Sequence, residues 1–208
     1  MYTIQQTAFL ESITPDALQH IERAGRTCYK SESAITPDSA DKFVRMIIKR
    51  GHLSVLEHAS ATFRMVTDRG VTHEMVRHRI AAYSQESTRY CNYSKSNVGL
   101  KFVIPVKPDG TPAFGGSALG EALWMAAMQD AETTYLKMLE QGFPPQLARS
   151  VLPNSLATEI VMTANFREWR HVLSLRTAKA AHPQMQHLAG LVRDSLVAEC
   201  PAVFDDFL

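Results

Sequence analysis

Stretches that favour strands and stretches that favour helices follow one another along this chain without strict alternation, and this order most constrains the fold. The residue pattern predicts strands at residues 2–10, 59–65, 101–105 and 156–163. It predicts helices at residues 16–28, 36–51, 72–77, 117–142 and 166–177, a short helix from Pro144, and a last helix at 183–199. Repeated strand–helix–strand units would alternate regularly, so we predict an α+β fold with a central mixed or antiparallel sheet flanked by helices.

Helix starts are predicted from residues that can cap a first turn. Thr36 followed by Pro37 places an N-cap before a proline at the first helical position, and Thr72 and Ser117 can act in the same way. Gly51 and Gly142 are typical of helix ends. Residues 105–117 contain three prolines and three glycines, which predicts a loop within one domain.

Composition places the chain among folded globular proteins. Its 208 residues are 45% hydrophobic and 21% charged, which fits one domain covering residues 1–208. A net charge of +1 creates no overall field for nucleic acid or an anionic membrane. Three scattered cysteines indicate neither disulfides nor a thiolate metal site, and no apolar run reaches membrane-spanning length. We expect a soluble cytoplasmic protein that is not processed.

A dense cationic segment, RHRIAAYSQESTRY, is the strongest functional signal. Arg77, His78, Arg79 and Arg89 lie within thirteen residues, offset only by Glu86. Like charges this close repel one another unless an anion binds among them, and arginine suits bidentate contact with phosphate. We interpret the run after Arg79 as a rigid polar loop that helps to hold a flat, phosphorylated ligand. The alternative is a solvated, salt-bridged helix end.

Three further segments carry polar groups that could join such a site. His52, Glu57 and His58 invite a metal interpretation, although their spacing matches no zinc motif, so a structural role or a pocket wall is favoured. Arg149 lies near a predicted strand edge. Arg167, His171 and Ser174 share one face of a predicted helix, where a solvated basic face is the alternative. The chain contains neither a GxGxxG nor a Walker phosphate loop, and we find no convincing nucleophile motif.

These segments together resemble the flavin-dependent thymidylate synthases, whose signature is RHR, seven residues, then Ser. The chain has Arg77-His78-Arg79, the run IAAYSQE, then Ser87. It also has the GHxSxxEH, ARxxLP and LR segments at 51–58, 148–153 and 175–176. The resemblance implies a homotetramer with active sites shared between subunits. It also implies FAD as cofactor, dUMP as substrate, 5,10-methylenetetrahydrofolate as carbon donor and NADPH as reductant.

The resemblance also implies roles for individual residues. Those that match flavin-binding positions are Ser54, Arg77, His78, Arg79, Gln85, Asn165, Phe166, Arg167 and His171. Those that match the nucleotide site are Glu74, Met75, Val76, Arg77, Gln85, Glu86, Ser87, Thr88, Arg89, Arg149 and Arg176. Arg176 corresponds to the catalytic residue that stabilises uracil as its N3 anion. Flavin and folate would carry out hydride and carbon transfer, so no protein nucleophile is required.

Two positions depart from the family pattern. Gln85 occupies a place where many members have an acidic residue, so its hydrogen bond is kept without the charge. Ala180 stands where many members have histidine, which leaves Lys179 or His182 as possible substitutes. The alternative functions are a non-catalytic RNA- or nucleotide-binding protein that uses the arginine clusters, and a metal hydrolase built on His52, Glu57 and His58. The first alternative lacks a basic stripe with interleaved aromatic residues.

Overall fold

A four-stranded antiparallel sheet organises the larger part of the fold. The computed structural model describes residues 1–95 and 99–208. The strands are β1 (Tyr2–Ile4), β2 (Thr7–Ile13), β3 (Ser60–Asp68), β4 (Ala81–Gln85), β5 (Lys101–Val103) and β6 (Ala157–Asn165). The main sheet has the order β2–β3–β6–β4 with every neighbouring pair antiparallel. The predicted α+β fold is confirmed, in its antiparallel form.

Helices cover this sheet and connect its strands. The helices are α1 (Ala17–Thr27), α2 (Ser39–Lys49), α3 (Arg69–Met75), α4 (Ala118–Glu140), α5 (Pro145–Ala148), α6 (Phe166–Arg176), α7 (Pro183–Glu199) and α8 (Pro201–Phe204). Among the residues described, none of these helices is both long and apolar enough to cross a membrane.

Side chains along the central strands alternate between a buried apolar face of the sheet and a more exposed polar face. On the core face Phe63 and Met65 of β3 and Met162 of β6 are fully buried, and Trp169 of α6 packs on Phe63 with its ring centroid 5.1 Å away. On the opposite face Arg64 forms ion pairs with carboxylates of β2 and β6. This two-sided pattern is typical of antiparallel sheets.

A smaller apolar cluster lies beside the main sheet. Strands β1 and β5 pair in parallel, and Phe102 of β5 packs with Met128 and Tyr135 of α4. Ser117 caps α4 as predicted, because its hydroxyl accepts from the Gly120 N–H at 3.1 Å. The parallel pair is thus separate from the main sheet, and the predicted strand at 2–10 is two strands that serve different sheets.

Two predicted helix caps are wrong. Helix α2 begins at Ser39 rather than after Thr36, because the Ser39 hydroxyl accepts from the Thr36 N–H and donates to the buried Glu22 carboxylate. Helix α3 is capped by Asp68, which accepts from Val71 N–H at 2.6 Å, whereas Thr72 lies inside the helix and is buried. In both cases the residue at the start of the helix also contacts a residue distant in the chain: Ser39 contacts Glu22, and Asp68 contacts Gln184.

The polar run after Arg79 is a strand rather than the predicted loop. Residues Ala81–Gln85 form β4, which pairs with β6 at the edge of the main sheet. The Tyr83 hydroxyl is close to the carbonyl oxygens of Met75 and His78, at 2.7 and 2.8 Å. The strand is therefore fixed to the turn that carries the Arg-His-Arg motif.

Candidate functional site

A cavity of about 850 Å³ lies between the Arg-His-Arg turn and helix α6. Its walls include seven residues predicted from the sequence: Arg77, His78, Arg79, Asn165, Arg167, His171 and Arg176. Although these residues come from two segments almost ninety residues apart in the chain, the β4–β6 pairing brings them together. The structure therefore assembles most of the predicted flavin-binding set in one place.

Helix α6 presents its polar face to this cavity. Asn165 caps the helix by accepting from the Glu168 N–H at 2.8 Å. Trp169, Val172 and Leu173 are buried in the core, which turns Arg167, His171 and Ser174 outward, as their spacing predicts. Arg176 also lines the cavity, from the last turn of the helix.

Arg176 is held by hydrogen bonds to two segments near the motif. Its Nε donates to Nε2 of His78 at 3.0 Å, and its two terminal nitrogens donate to the Glu74 carboxylate and backbone carbonyl at 2.8 and 3.0 Å. Its side chain is 18% exposed, so these contacts are partly shielded from water. These contacts orient the predicted catalytic residue.

His78 is neutral in this arrangement. Its Nε2 accepts from Arg176, which leaves the proton on Nδ1, 3.4 Å from a Glu168 carboxylate oxygen. Burial, with the nearby charges of Arg176 and His171, lowers the pKa of His78 to about 4. Burial also raises the pKa of the Glu168 carboxyl. The cavity floor thus carries an uncharged imidazole, and the guanidinium groups at its rim supply the positive charge.

Histidine and glutamate side chains meet here without the surroundings that a metal ion needs. His78, Glu168 and His171 each place a ligand-type atom within 4.8 Å of the others. However, Arg176 donates to His78 and would repel a cation beside it. In the other proposed metal group, Arg167 engages the Glu57 carboxylate at 2.6 Å. Neither arrangement favours the metal hydrolase alternative.

A second polar cluster lies at the far end of β4. Arg149 donates to the Thr88 hydroxyl at 3.0 Å, and the Arg89 guanidinium stacks over the Tyr90 ring. The Ser87 hydroxyl accepts from the Arg89 N–H. This cluster joins two predicted nucleotide-binding segments that are about sixty residues apart in the chain. It lies at the opposite end of β4 from the contacts of Arg176 with Glu74 and His78.

Gln85 and Glu86 help to fix this second cluster. The Gln85 amide donates to the hydroxyls of Thr72 and Thr158 at 3.0 and 3.3 Å. The Glu86 carboxylate accepts from the Tyr93 hydroxyl at 2.8 Å, and burial and that carboxylate raise the pKa of Tyr93. The Gln85 side chain thus connects α3, β4 and β6, whereas the Glu86 side chain holds Tyr93, and neither lines the cavity at α6.

The remaining predicted site residues differ in how exposed their side chains are, and therefore in how directly a ligand can contact them. The side chains of Met75 and Phe166 are buried, 2% and 0% exposed, so direct side-chain contact with a ligand would need rearrangement. Val76 is exposed beside the motif. Ser54 lines a neighbouring cavity of about 660 Å³ with Arg26, His52 and Arg167. Leu53 and Arg167 line both cavities, so the two lie side by side next to the short 3-10 helix Leu53–His58.

Two charged cavity residues, Glu168 and Arg170, escaped the sequence-based prediction of ligand-binding residues. Both lie on α6 between the predicted residues. Glu57, which the sequence presented as a possible metal ligand or pocket wall, lines the same cavity and pairs with Arg167. Glu168 follows Asn165 by three positions, the spacing of a capping box, and this was the one available signal. The ion pair of Arg170 with Asp206 at the chain's end gives no local sequence signal.

The fold and the cavity define an α+β protein whose cavity is lined by several arginines and a neutral histidine. The sequence profile of the family described as thymidylate synthase complementing protein matches residues 9–202. Flavin-dependent thymidylate synthases from Mycobacterium sp. (strain JLS) and Mycobacteroides abscessus are 39% and 37% identical, over 90% of this chain and 78% of theirs. The chain therefore belongs to the flavin-dependent thymidylate synthase family.

The fold is shared with a solved structure of lower sequence identity. The UMP/dUMP methylase PolB from Streptomyces cacaoi, bound with 5-Br dUMP, is 24% identical and superposes with a TM-score of 0.82. The match covers 100% of this chain and 96% of that chain. The architecture described above is thus the one that this methylase also has.

Proposed function

We propose that this protein converts dUMP to dTMP by reductive methylation, with 5,10-methylenetetrahydrofolate as carbon donor and NADPH as reductant through FAD. The observation that carries this proposal is the cavity in which the Arg-His-Arg turn meets α6 and Arg176. Membership of the family supports the reaction. The nucleotide seen with the structural relative supports a uridine nucleotide as substrate.

The donor set of the cavity fits a flavin nucleotide. Arg77, Arg79 and Arg167 offer guanidinium groups at an exposed rim, which suits phosphate oxygens. His78 offers a buried neutral ring deeper in the cavity, and the exposed ring of His171 lies with its centroid 5.6 Å from that of His78. When bound, the flavin supplies the hydride chemistry of the reaction. The residues of this chain bind it, orient it and exclude water.

Arg176 is placed to stabilise negative charge on the uracil ring. A guanidinium has five N–H groups, and here three of them are used by Glu74 and His78. The remaining two can donate to the uracil oxygens and share the charge of an N3 anion. Such charge pairing makes loss of the N3 proton easier and enriches C5 for attack on the one-carbon unit.

The nucleotide site requires more than one subunit in this proposal. In one chain Arg176 lies near the start of β4, and Ser87, Arg89 and Arg149 lie beyond its end. The five residues of this strand, with a rise of about 3.3 Å each, place about 16 Å of backbone between the two groups. We therefore propose a homotetramer with active sites shared between its subunits, each subunit acting as one domain of residues 1–208.

Exposed apolar side chains support such an assembly. Leu119 and Leu123, in the first turns of α4, are 71% and 64% exposed. Phe143 and Leu147, beyond the other end of α4, are also exposed. Exposed apolar side chains grouped in pairs are consistent with contact to another protein. The second pair precedes Arg149, so a subunit contact there would lie near the second polar cluster.

A flavin absorbance spectrum, recorded before and after dUMP is added, tests the proposed function. We expect a yellow protein whose flavin bands shift when dUMP binds, and formation of dTMP when NADPH and methylenetetrahydrofolate are supplied. A colourless protein that ignores FAD and instead retards RNA in a gel would establish the RNA-binding alternative. Purified protein loaded with FAD is sufficient for both measurements.

The role of Arg176 is tested by replacing it with lysine. Lysine keeps the charge but loses the planar fork that contacts Glu74 and His78. We expect dTMP formation to fall by about a thousandfold, a loss typical of removing a transition-state donor, while most of the flavin stays bound. Arg193→Lys, in a surface ion pair on α7, is the matched control. Turnover within tenfold of the parent would contradict the activating role.

A further inference from the structure

Glu168, in the first turn of α6, places a carboxylate in the wall of the cavity beside His78. Its side chain is 8% exposed, and one of its oxygens lies 3.4 Å from Nδ1 of His78. Burial raises the pKa of this carboxyl, so the position disfavours its charge unless a polar group attracts it. The N–H group of the His78 ring is such a group.

The tautomer of His78 depends on what each ring nitrogen faces. Arg176 keeps its protons and donates from Nε to Nε2 of His78 at 3.0 Å, so Nε2 is the unprotonated nitrogen. The proton of the neutral ring then lies on Nδ1, which faces Glu168. In the opposite tautomer the Nδ1 lone pair would face a carboxylate, and the Nε2 proton would face a guanidinium. A carboxylate can only accept, so it favours the first tautomer.

This imidazole connects the two ends of α6. Glu168 is in the first turn of the helix and Arg176 in the last, about 12 Å apart along the axis. His78, from the Arg-His-Arg turn, contacts both. It holds the Nε side of the guanidinium, whereas Glu74 holds the two terminal nitrogens. If Nε were released, the planar group could pivot about its contacts with Glu74.

We propose that Glu168 is a positioning residue, which holds the Nδ1–H tautomer of His78 and through it fixes the plane of the Arg176 guanidinium. Its effect on the reaction rests on the proposed function, since that effect requires Arg176 to act on the bound nucleotide. Its effect on the ring of His78 does not, because that effect follows from contacts within the protein.

Two simpler roles of Glu168 would leave Arg176 unaffected. A negative charge near a helix start is stabilising, and Glu168 occupies the third position of α6. The carboxylate also lies within 4.8 Å of a ring nitrogen of His171, one turn further along the helix. A decisive test therefore measures the ring of His78 itself as well as the reaction.

Glu168→Gln tests the positioning role with little change in shape. An amide can donate to Nδ1, so the variant admits the tautomer that the carboxylate opposes. Glu121→Gln is the matched control, because Glu121 also lies in the first turn of a helix, α4, but is exposed. Solid-state NMR of flavin-loaded protein with 15N-labelled histidine reports the tautomers of His78 and His171, and His78→Gln identifies the signals of His78. Both kcat and KM are measured with dUMP.

We expect His78 of the parent protein to carry its proton on Nδ1, and Glu168→Gln to show both tautomers. The kcat for dUMP should fall by at least about tenfold, a loss typical of removing a group that orients a histidine. The KM should change by less than about threefold, because Arg176 acts mainly on charge that develops during the reaction. Glu168→Asp, which also only accepts, should regain part of both properties. Glu121→Gln should match the parent.

Three results overturn the inference while the proposed function stands. Glu168→Gln could keep the Nδ1–H tautomer of His78 and the kcat of the parent. It could lose turnover with no change in the His78 tautomer, or change the signals of His171 alone. Flavin content and circular dichroism of each variant show that its fold is intact.

A different result separates the proposed function from the role of Glu168. If the flavin-loaded parent forms no dTMP from dUMP, the proposed function falls, and with it the effect of Glu168 on the reaction. A change of the His78 tautomer in Glu168→Gln would still establish the effect on the ring.

Discussion

The protonation state of His78 is determined by the residues around it. The sequence places it between two arginines, where a charged imidazole would meet strong repulsion. In the structure the ring is buried, and its Nε2 accepts a hydrogen bond from the Arg176 guanidinium. The imidazole therefore stays neutral and serves as an acceptor, which orients the arginine without adding positive charge to the cavity floor.

This neutral state predicts a specific dependence of stability on pH. In an unfolded chain histidine titrates near pH 6.5, whereas the folded protein holds the pKa of His78 at about 4. Between these values the unfolded chain binds a proton that the folded chain does not. Lowering the pH through this window should therefore reduce the free energy of unfolding, by up to about 3 kcal/mol. Above pH 6.5 both states are neutral and the contribution is complete.

The comparison with His78→Gln isolates this contribution from other titrating groups. The variant lacks the imidazole, so its stability relative to the parent should rise as the pH falls from 7 to 4.5. Denaturant unfolding at pH 7, 5.5 and 4.5 measures the difference. His73→Gln, which removes an exposed histidine from α3, is the control. Parallel pH profiles of the parent and His78→Gln would contradict a buried neutral imidazole.

At the scale of elements, α3 connects the site to the core. Asp68 caps its first turn by accepting from Val71 N–H, and its other oxygen accepts from the Gln184 amide of α7 at 2.6 Å. The side-chain amide of Gln6 donates to the backbone carbonyl of Gln184, and the Thr67 hydroxyl donates to the side-chain oxygen of Gln6. All of these side chains are buried, so the network fixes α3, and with it Glu74 and the motif turn, against α7.

Asp68→Ala should therefore cost more than loss of an ordinary cap. An exposed N-cap such as Ser117 contributes about 1 kcal/mol. Removing Asp68 also leaves the Gln184 amide unsatisfied, so we expect the free energy of unfolding to fall by about 2–4 kcal/mol. Chemical denaturation of Asp68→Ala and Ser117→Ala measures both. Equal losses would show that the network adds nothing to the cap.

Most helices and central strands of this fold could be predicted from the sequence, but β4 could not. The apolar periodicity of α4 and α6 is local, and so is the alternation in β3. In β4 the polar side chains of Tyr83 and Gln85 are satisfied by α3 and β6, which local sequence cannot reveal. The contact of Arg176 with His78 spans 98 positions, so the family resemblance, and not spacing, predicted that they share a site.

At the scale of the whole molecule, the chain carries two polar clusters at opposite ends of β4, and the proposed function uses both. Helix α6 and the motif turn form one part, with Arg176 and Glu74. Arg149 and the segment 87–89 form the other. Bringing the two clusters together within one chain would require the β4–β6 pairing to break. In the proposed homotetramer, assembly of several chains would join them without that loss.

Mixing two inactive variants tests this arrangement. Arg176→Ala disables one part and Arg89→Ala disables the other. In a homo-oligomer with shared sites, co-folding equal amounts should restore about a quarter of the parent activity, since a quarter of the sites draw both parts from undamaged segments. Arg89→Ala mixed with Arg149→Ala is the control. Both changes lie in one part of the site, so every mixed site carries one of them and activity should stay low. Failure of the first pair to recover, with mixed oligomers verified by native mass spectrometry, would mean that each chain completes its own site.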